Sequence, residues 1–262
     1  MSPIPRSARK KSNSGVYHVI FRGANRQEIF HDDQDCRRFL TTLQKYKIQT
    51  DMKIYAWCLM GNHVHLLVKE ENESISLVMK RLGISYAMYY NWKYRTTGHL
   101  FEDRFKSENV EDNRYLLTAA RYIHQNPVKA GIASHPAEWK WSSCLGYYKK
   151  FVYPPNLLDS HFLLNIFSSN ESIARTRFKE FNERINDDQC LEGYEDSRKR
   201  MTDDEARAEI RKCMESLEIP HVKSLPREQR NEVLRKIKAI NGLSHRQAAR
   251  ILGISPNLIS KA

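Results

Sequence analysis

Two histidines separated by a single residue, His63 and His65, are the first side chains in this sequence whose spacing suits a chemical role. They begin the string HVHLLVK, whose β-branched and apolar residues predict a strand. Because side chains alternate along a strand, both imidazoles project from one face while Val64 points to the other. Two adjacent imidazoles make half of a metal site, although the same pair also suits a polar sheet surface.

A tyrosine and an asparagine farther along, Tyr122 and Asn126, are the second candidates. The segment Arg114–Gln125 is predicted as a helix that stops before Pro127, and residues four apart share a helix face. If that face packs over the sheet, Asn126 can offer its carbonyl oxygen to the metal and Tyr122 its phenol to a bound phosphate. Equally, Tyr122 suits an ordinary core position, like Tyr115, and Asn126 suits a helix end.

The elements that must position these residues occur in a definite order. Asp32 and Asp33 supply cap and dipole signals for the first helix, and Gly61-Asn62 is a hairpin signal. The order is strand, helix, strand, strand, helix, strand, helix, and it predicts an α+β fold of the ferredoxin-like split βαβ kind. Its antiparallel sheet would have one face covered by helices and one open to a ligand, with one added catalytic helix. Strands are predicted over Val16–Arg22, Lys53–Met60, His63–Lys69 and Arg104–Val110, and helices over Gln34–Lys47, Ser74–Trp92 and Arg114–Gln125.

The composition changes after Tyr148. Pro154-Pro155 interrupts the chain, and residues 183–209 hold ten acidic against five basic side chains. Residues 223–262 reverse this, with nine Lys or Arg against two Glu. Such a break predicts a separate module. We therefore expect a first domain at 1–150, a helical linker region at 151–204 and an all-α helix-turn-helix domain at 205–262.

The last twenty residues carry their own capping signals. Ser244 can cap a helix over His245–Leu252, Gly253 can turn the chain, and Ser255 can cap a second helix. The stretch resembles the helix-turn-helix of replication-initiator C-terminal domains and of sigma-factor-like modules, which implies contacts with duplex DNA; a helical hairpin for protein contact is the alternative. Residues expected in its small core are Ala248, Ala249, Leu252, Ile254 and Ile259, and those expected at DNA are Arg246, Arg250 and Asn257.

The overall charge favours a polyanionic partner. The 262 residues include 43 Lys and Arg against 31 Asp and Glu, a formal charge of +12. An anionic membrane is disfavoured, because no stretch approaches the roughly 18–20 apolar residues of a spanning helix, and no apolar segment of a secretory signal follows the basic start. Five scattered cysteines without a CxxC pair indicate reduced thiols. We expect a cytoplasmic, nucleoid-associated protein.

Several strings together resemble a known family. The chain is similar to the single-tyrosine transposases of the His-hydrophobic-His endonuclease superfamily, and more narrowly to the REP-associated tyrosine transposases. The resemblance covers roughly the first 150 residues in matching order. The strings are YHVIFRGANRQEIFHDDQDCRRFL (17–40), CLMGNHVHLLV (58–68), GHLFEDRFK (98–106), RYIHQNPVKAG (121–131) and WKWSSCLGYY (139–148).

The resemblance implies a role for each candidate residue. Tyr122 falls on the family's nucleophile, His63 and His65 on its metal-binding pair, and Asn126 on the third metal ligand. It also implies cleavage and rejoining of single-stranded or hairpin DNA through a 5′-phosphotyrosine, by a monomer or homodimer. Magnesium prefers oxygen ligands and two imidazoles suit manganese, so Mg²⁺ or Mn²⁺ is expected.

Basic residues interleaved with aromatics are candidates for contact with a single strand. Arg104-Phe105-Lys106 is predicted as a strand that puts both cations on one face. The loop after the first strand adds two guanidiniums. The alternative to an enzyme is a catalytically silent DNA-binding regulator; an RNA-binding sheet is disfavoured, because it would show aromatics where this one has histidines. The residues expected to contact DNA here are Arg22, Asn25, Arg26, Arg104 and Lys106.

Overall fold

The computed structural model describes residues 10–24, 27–188, 190, 203–214, 219, 222 and 225–262. The chain forms two compact units, Met1–Gly193 and Tyr194–Ala262. The domain boundary expected at residue 150 therefore lies inside the first unit. None of the helices within these ranges is long and apolar enough to cross a bilayer.

The described part of the first unit is built on four strands: β1 (Val16–Arg22), β2 (Lys53–Met60), β3 (His63–Lys69) and β4 (Lys106–Asn109). All pairings are antiparallel, in the order β2-β3-β1-β4. Helix α1 (Asp33–Thr50) joins β1 to β2, α2 (Ile75–Tyr94) joins β3 to β4, and α3 (Asn113–Lys129) follows β4. This arrangement confirms the predicted α+β fold, with its ferredoxin-like strand order and added helix.

Alternation along the strands sends apolar side chains into two cores. Val19 and Phe21 of β1 join Val64 of β3 in the core beneath α1 and α2. On the opposite face, Cys58 and Leu67 pack in a cluster with α3 and with two later helices. The face predicted to be open to a ligand is thus largely covered. It is half-exposed at the end that carries His63.

Helix α3 continues through the proline that was predicted to stop it. Pro127 lies in its last turn, where a proline removes a single backbone donor, and the Ala130 N–H still bonds to the Asn126 carbonyl at 2.9 Å. Asn126 is therefore helical, and only 8 % of it is exposed. Its alternative role as a helix-ending residue does not apply.

The region expected as a linker contributes to the first unit. Two short helices lie there, α5 (His161–Phe167) and α6 (Glu171–Glu183), and α4 (Cys144–Tyr147) precedes them. Phe178 of α6 is fully buried and stacks on the Tyr147 ring with centroids 4.1 Å apart. Residues of α5 and α6 thereby close the core under α3.

We expect Phe178→Ala to lower the free energy of unfolding by about 3–5 kcal/mol, because it leaves a cavity beside Tyr147. Urea denaturation of the full chain measures this. Ile173→Ala is the matched control on the same helix, since Ile173 is 47 % exposed, and it should change stability by less than about 0.5 kcal/mol. Equal effects of the two substitutions would mean that α6 does not belong to this core.

The second unit contains α7 (Asp203–Met214), α8 (Arg227–Lys238), α9 (His245–Leu252) and α10 (Pro256–Lys261). The Ser244 hydroxyl accepts from the Gln247 N–H at 3.1 Å, and Ser255 caps α10. Gly253 turns the chain between α9 and α10 with φ +65°. The described core holds Ile210, Leu234 and Ile237 with the predicted Ala248, Ala249, Leu252 and Ile259, and Ile254 packs against it.

Candidate active site

The sheet register brings β1 alongside the two histidines. In the β1–β3 ladder, Arg22 lies opposite His63, and Ile20 lies opposite His65. Residues opposite one another in an antiparallel pair share a face, and so do residues two apart along a strand. His63, His65, Arg22 and His18 therefore all belong to the face that α3 covers.

Each histidine of the pair has one ring nitrogen engaged by a neighbour. His63 Nδ1 lies 2.6 Å from Asn62 Oδ1, and since that oxygen only accepts, Nδ1 donates. His65 Nδ1 lies 3.0 Å from Nε2 of His18. The Nε2 atoms are left to face other groups, and for His63 this group is Asn126 Oδ1 at 3.4 Å. Asn126 of α3 therefore lies beside the histidine pair of β3.

Tyr122 lies in the same cluster, one helical turn before Asn126. Its ring centroid is 5.6 Å from that of His65 and 6.0 Å from that of His18, both edge-to-face. The Lys129 ammonium lies 4.8 Å from the Tyr122 ring centroid. Only 4 % of Tyr122 is exposed, so its ring has a defined position. The four residues expected at the site are therefore adjacent in space.

Two neighbouring residues on α3 have other partners. Gln125 Nε2 donates to the backbone carbonyls of Asn182 and Arg184, at 2.7 and 3.1 Å. Tyr115, two turns before Tyr122, donates its hydroxyl to the Glu108 carboxylate. Burial and this carboxylate raise the pKa of Tyr115. The hydrogen bonds of Gln125 and Tyr115 thus lead away from the histidine pair, which Asn126 and Tyr122 contact.

Burial keeps the inner imidazoles neutral. It lowers the pKa of His18 to about 3. Burial, helped by the charges of His63, His18 and Arg22, holds the pKa of His65 well below its usual value. Because both pKa values are lowered, both rings are neutral near neutral pH, and the neutral imidazole is the form that binds a metal.

The described residues contain no group of three or more His, Cys, Asp or Glu side chains that could hold a metal ion. The set here has two imidazoles and an amide oxygen instead. Neighbouring ligand atoms of one octahedral ion lie about 3 Å apart, and His63 Nε2 and Asn126 Oδ1 are separated by 3.4 Å. The separation of this pair suits two ligands of one small divalent cation, and a donor set of two imidazoles and an amide oxygen suits Mn²⁺ at least as well as Mg²⁺.

The residues expected to contact DNA are placed unequally. Lys106 lies opposite Ile20 on β4, so it shares the site face with Arg22. Arg104 lies before β4, outside the strand, and lines a cleft with Gly83 and Phe101 on the α2 side. The prediction that Arg104 and Lys106 share a strand face is wrong. Arg246 and Asn257 of the second unit are exposed, whereas Asn25, Arg26 and the side chain of Arg250 lie outside the described residues.

Sequence reasoning missed His18, Asn62 and Lys129. His18 shares a face with Arg22 in the alternating string VYHVIFR, but that signal means little until β1 is paired with β3. Lys129 follows Tyr122 by seven residues, a spacing that keeps two side chains on one helix face. Its ammonium also donates to the Asp188 carbonyl at 2.7 Å, which anchors it beside the ring.

Comparison with known proteins places this site within a matched segment. Residues 11–126 match the family model described as "Transposase IS200 like". That segment runs from just before β1 to Asn126 and so contains all four candidate residues. A protein of Haemophilus influenzae described as a REP-associated tyrosine transposase is 26% identical over 125 residues, covering 43% of this chain and 68% of that protein.

Two solved structures are also similar. A REP-associated tyrosine transposase bound to a REP hairpin aligns with a TM-score of 0.49 and 16% identity, over 58% of this chain and 89% of that one. A transposase from Deinococcus radiodurans aligns with a TM-score of 0.33 and 18% identity, over 42% of this chain and 90% of that one.

Proposed function

We propose that this chain, whose residues 11–126 match the family model described as "Transposase IS200 like", cleaves and rejoins single-stranded DNA at the foot of a hairpin, through Tyr122 and a divalent cation. The observation that carries the proposal is the meeting of α3 with β3. It brings Tyr122 and Asn126 onto the two histidines, with His63 Nε2 3.4 Å from Asn126 Oδ1.

Tyr122 would act as the nucleophile. Its phenolic oxygen attacks the scissile phosphorus, the bond to the 3′-oxygen breaks, and a 5′-phosphotyrosine and a free 3′-OH result. The proton lost by the phenol is balanced by the proton gained by the leaving 3′-oxygen. Because the phosphodiester bond energy is kept in the adduct, a 3′-OH of another strand can reverse the step without ATP.

The residues around Tyr122 supply the rest of the chemistry. His63, His65 and Asn126 would hold the cation, which neutralises a non-bridging oxygen of the scissile phosphate. Lys129 places a positive charge beside the nucleophile, 4.8 Å from the Tyr122 ring centroid. Arg22, opposite His63 on the site face, is placed to bind a phosphate of the same strand.

The experiment that tests the proposal is a cleavage assay with the full chain. End-labelled single strands that carry imperfect hairpins are incubated with Mg²⁺, with Mn²⁺ or with chelator, and separated on a denaturing gel. We expect metal-dependent nicks beside the hairpin foot and a protein-linked 5′ product. Binding without any nick or adduct under all metal conditions would favour the alternative, a catalytically silent DNA-binding regulator.

The second unit is proposed as a helix-turn-helix that anchors the protein on duplex DNA. Residues 223–262 carry a net charge of +7 from nine Lys and Arg and two Glu. In α9 and α10, Arg246 and Asn257 are exposed rather than buried in the helical core. Basic residues bind phosphates with release of counterions, so their contribution falls steeply with salt.

We expect a chain truncated after Gly193, at the boundary between the units, to nick hairpin single strands at high protein concentration. Its affinity for DNA that includes duplex should fall, and the slope of log K against log salt should become shallower by about 0.9 for each phosphate that the truncated chain no longer neutralises. Fluorescence anisotropy at four salt concentrations measures both quantities. Unchanged affinity and slope would instead assign the second unit to protein contact.

A further inference from the structure

His18 is a buried histidine that is neither the proposed nucleophile nor one of the three candidate metal ligands. It is fully buried on β1, and its Nε2 lies 3.0 Å from Nδ1 of His65. The two rings stack with centroids 5.3 Å apart. One of these two nitrogens must donate to the other, and the direction of that hydrogen bond decides which nitrogen of His65 has a free lone pair.

The other nitrogen of His18 is unsatisfied. Within the described residues, His18 Nδ1 is buried and has no hydrogen-bond partner. Burying a polar atom in this way is unfavourable, and a Leu or Met would avoid it at this position. The unsatisfied Nδ1 is a cost that only the bond of the other ring nitrogen to His65 offsets, which points to a role at His65.

The neighbouring ligand shows what that role is. His63 Nδ1 donates to Asn62 Oδ1, which leaves His63 Nε2 as the atom that faces Asn126. Histidine ligands of metals commonly donate their second N–H to such a partner, and the partner fixes the ring's tautomer and orientation. His18 holds the equivalent place beside His65, with a ring nitrogen that can accept.

We propose that His18 is a positioning residue for the metal centre: its Nε2 accepts the Nδ1–H of His65 and so presents the His65 Nε2 lone pair to the divalent cation. The inference rests on the metal centre of the proposed function. It assigns to His18 the tautomer with its proton on Nδ1, the atom that lacks a partner. A cation held by His65 Nε2 would require this direction of the hydrogen bond, because the bound nitrogen cannot carry a proton.

The test compares two substitutions by Mn²⁺ binding to the full chain without DNA, measured from the electron paramagnetic resonance signal of free Mn²⁺. In His18→Gln, the side-chain oxygen can still accept from His65, and the Kd for Mn²⁺ should stay within about threefold of wild type. His18→Leu fills similar space without an acceptor, and its Kd should rise about 10- to 100-fold. Its thermal stability should stay close to that of wild type, because loss of the unsatisfied His18 Nδ1 offsets the partner that His65 Nδ1 loses. A merely structural role predicts the opposite pattern, with lower stability and unchanged Kd.

A second measurement covers the case in which His18→Leu does not fold. In ¹⁵N-histidine-labelled wild type saturated with Mg²⁺, long-range ¹H–¹⁵N spectra should show His65 protonated on Nδ1 and His18 protonated on Nδ1. A His65 protonated on Nε2 in that state overturns the inference. If wild type binds Mn²⁺ and His18→Leu binds it equally well, the role of His18 is overturned while the metal centre stands. If wild type binds no Mn²⁺, the metal centre of the proposed function is overturned as well.

Discussion

Tyr122→Phe is expected to abolish nicking and the covalent protein–DNA adduct, with a loss of at least roughly 10⁴-fold in cleavage rate. The substitution removes one hydroxyl, the proposed nucleophile. It keeps the ring that contacts His65, His18 and Lys129. Affinity for the hairpin strand should therefore stay within about threefold, since the rest of the DNA-binding surface is unchanged. A denaturing gel for adducts and anisotropy for binding measure the two effects separately.

Tyr115→Phe is the matched control, on the same helix and with the same atom removed. Its hydroxyl donates to Glu108, outside the cluster around the histidine pair. This variant should nick at close to the wild-type rate and still form the adduct. Should Tyr122→Phe nick normally while Tyr115→Phe does not, the nucleophile would be Tyr115 and the proposed geometry would be wrong.

The parts of the fold that follow from local patterns were predictable from sequence. Strands β1, β2 and β3 have the predicted bounds, because alternating apolar residues and the Gly61-Asn62 turn are signals within a few residues of one another. The capping aspartate of α1 is equally local, since Asp32 accepts from the N–H of Asp35 only three residues later. Local rules failed at Pro127, because a proline in the last turn removes one donor and leaves the helix intact.

The division of the chain was harder to predict, because it depends on packing between distant segments. Pro154-Pro155 looks like the end of a domain, yet it is a loop within the first unit. A few large side chains decide this: Leu163 and Phe178, with the Tyr147 ring, close the core beneath α3. Both short helices are amphipathic in sequence, but that pattern does not show which core their apolar faces join, so the composition suggested a linker.

The candidate site, like the fold, was predictable where it depends on local spacing and not where it depends on long-range packing. His63 and His65 share a strand face, and Tyr122 and Asn126 share a helix face, so spacing alone finds each pair. Spacing does not show that the two pairs meet, and the family resemblance supplied that expectation. His18 was missed because its place depends on the pairing of β1 with β3, between residues 47 apart in the chain.

Loss of the metal site is expected to stop cleavage with little effect on DNA binding. His63→Ala should lower the nicking rate by about 10²-fold or more, because a cation held by fewer ligands stabilises less charge at the phosphate. The double substitution of His63 and His65 should lose about as much as His63→Ala alone, since residues that act as a unit are not additive. Chelator should stop nicking while a gel-shifted hairpin complex persists.

Asn126→Ala and Gln125→Ala form a matched pair that separates coordination from packing. Both remove an amide from adjacent buried positions on α3. Asn126 Oδ1 faces His63 Nε2, so Asn126→Ala should raise the Mn²⁺ concentration needed for half-maximal nicking by at least roughly tenfold. Gln125 donates to carbonyls of Asn182 and Arg184, so Gln125→Ala should lower stability and leave that concentration unchanged. Full nicking in chelator, with removal of bound metal verified, would contradict a metal role. An equal change in both variants would mean that Asn126 contributes by packing, and the third ligand would have to be sought elsewhere.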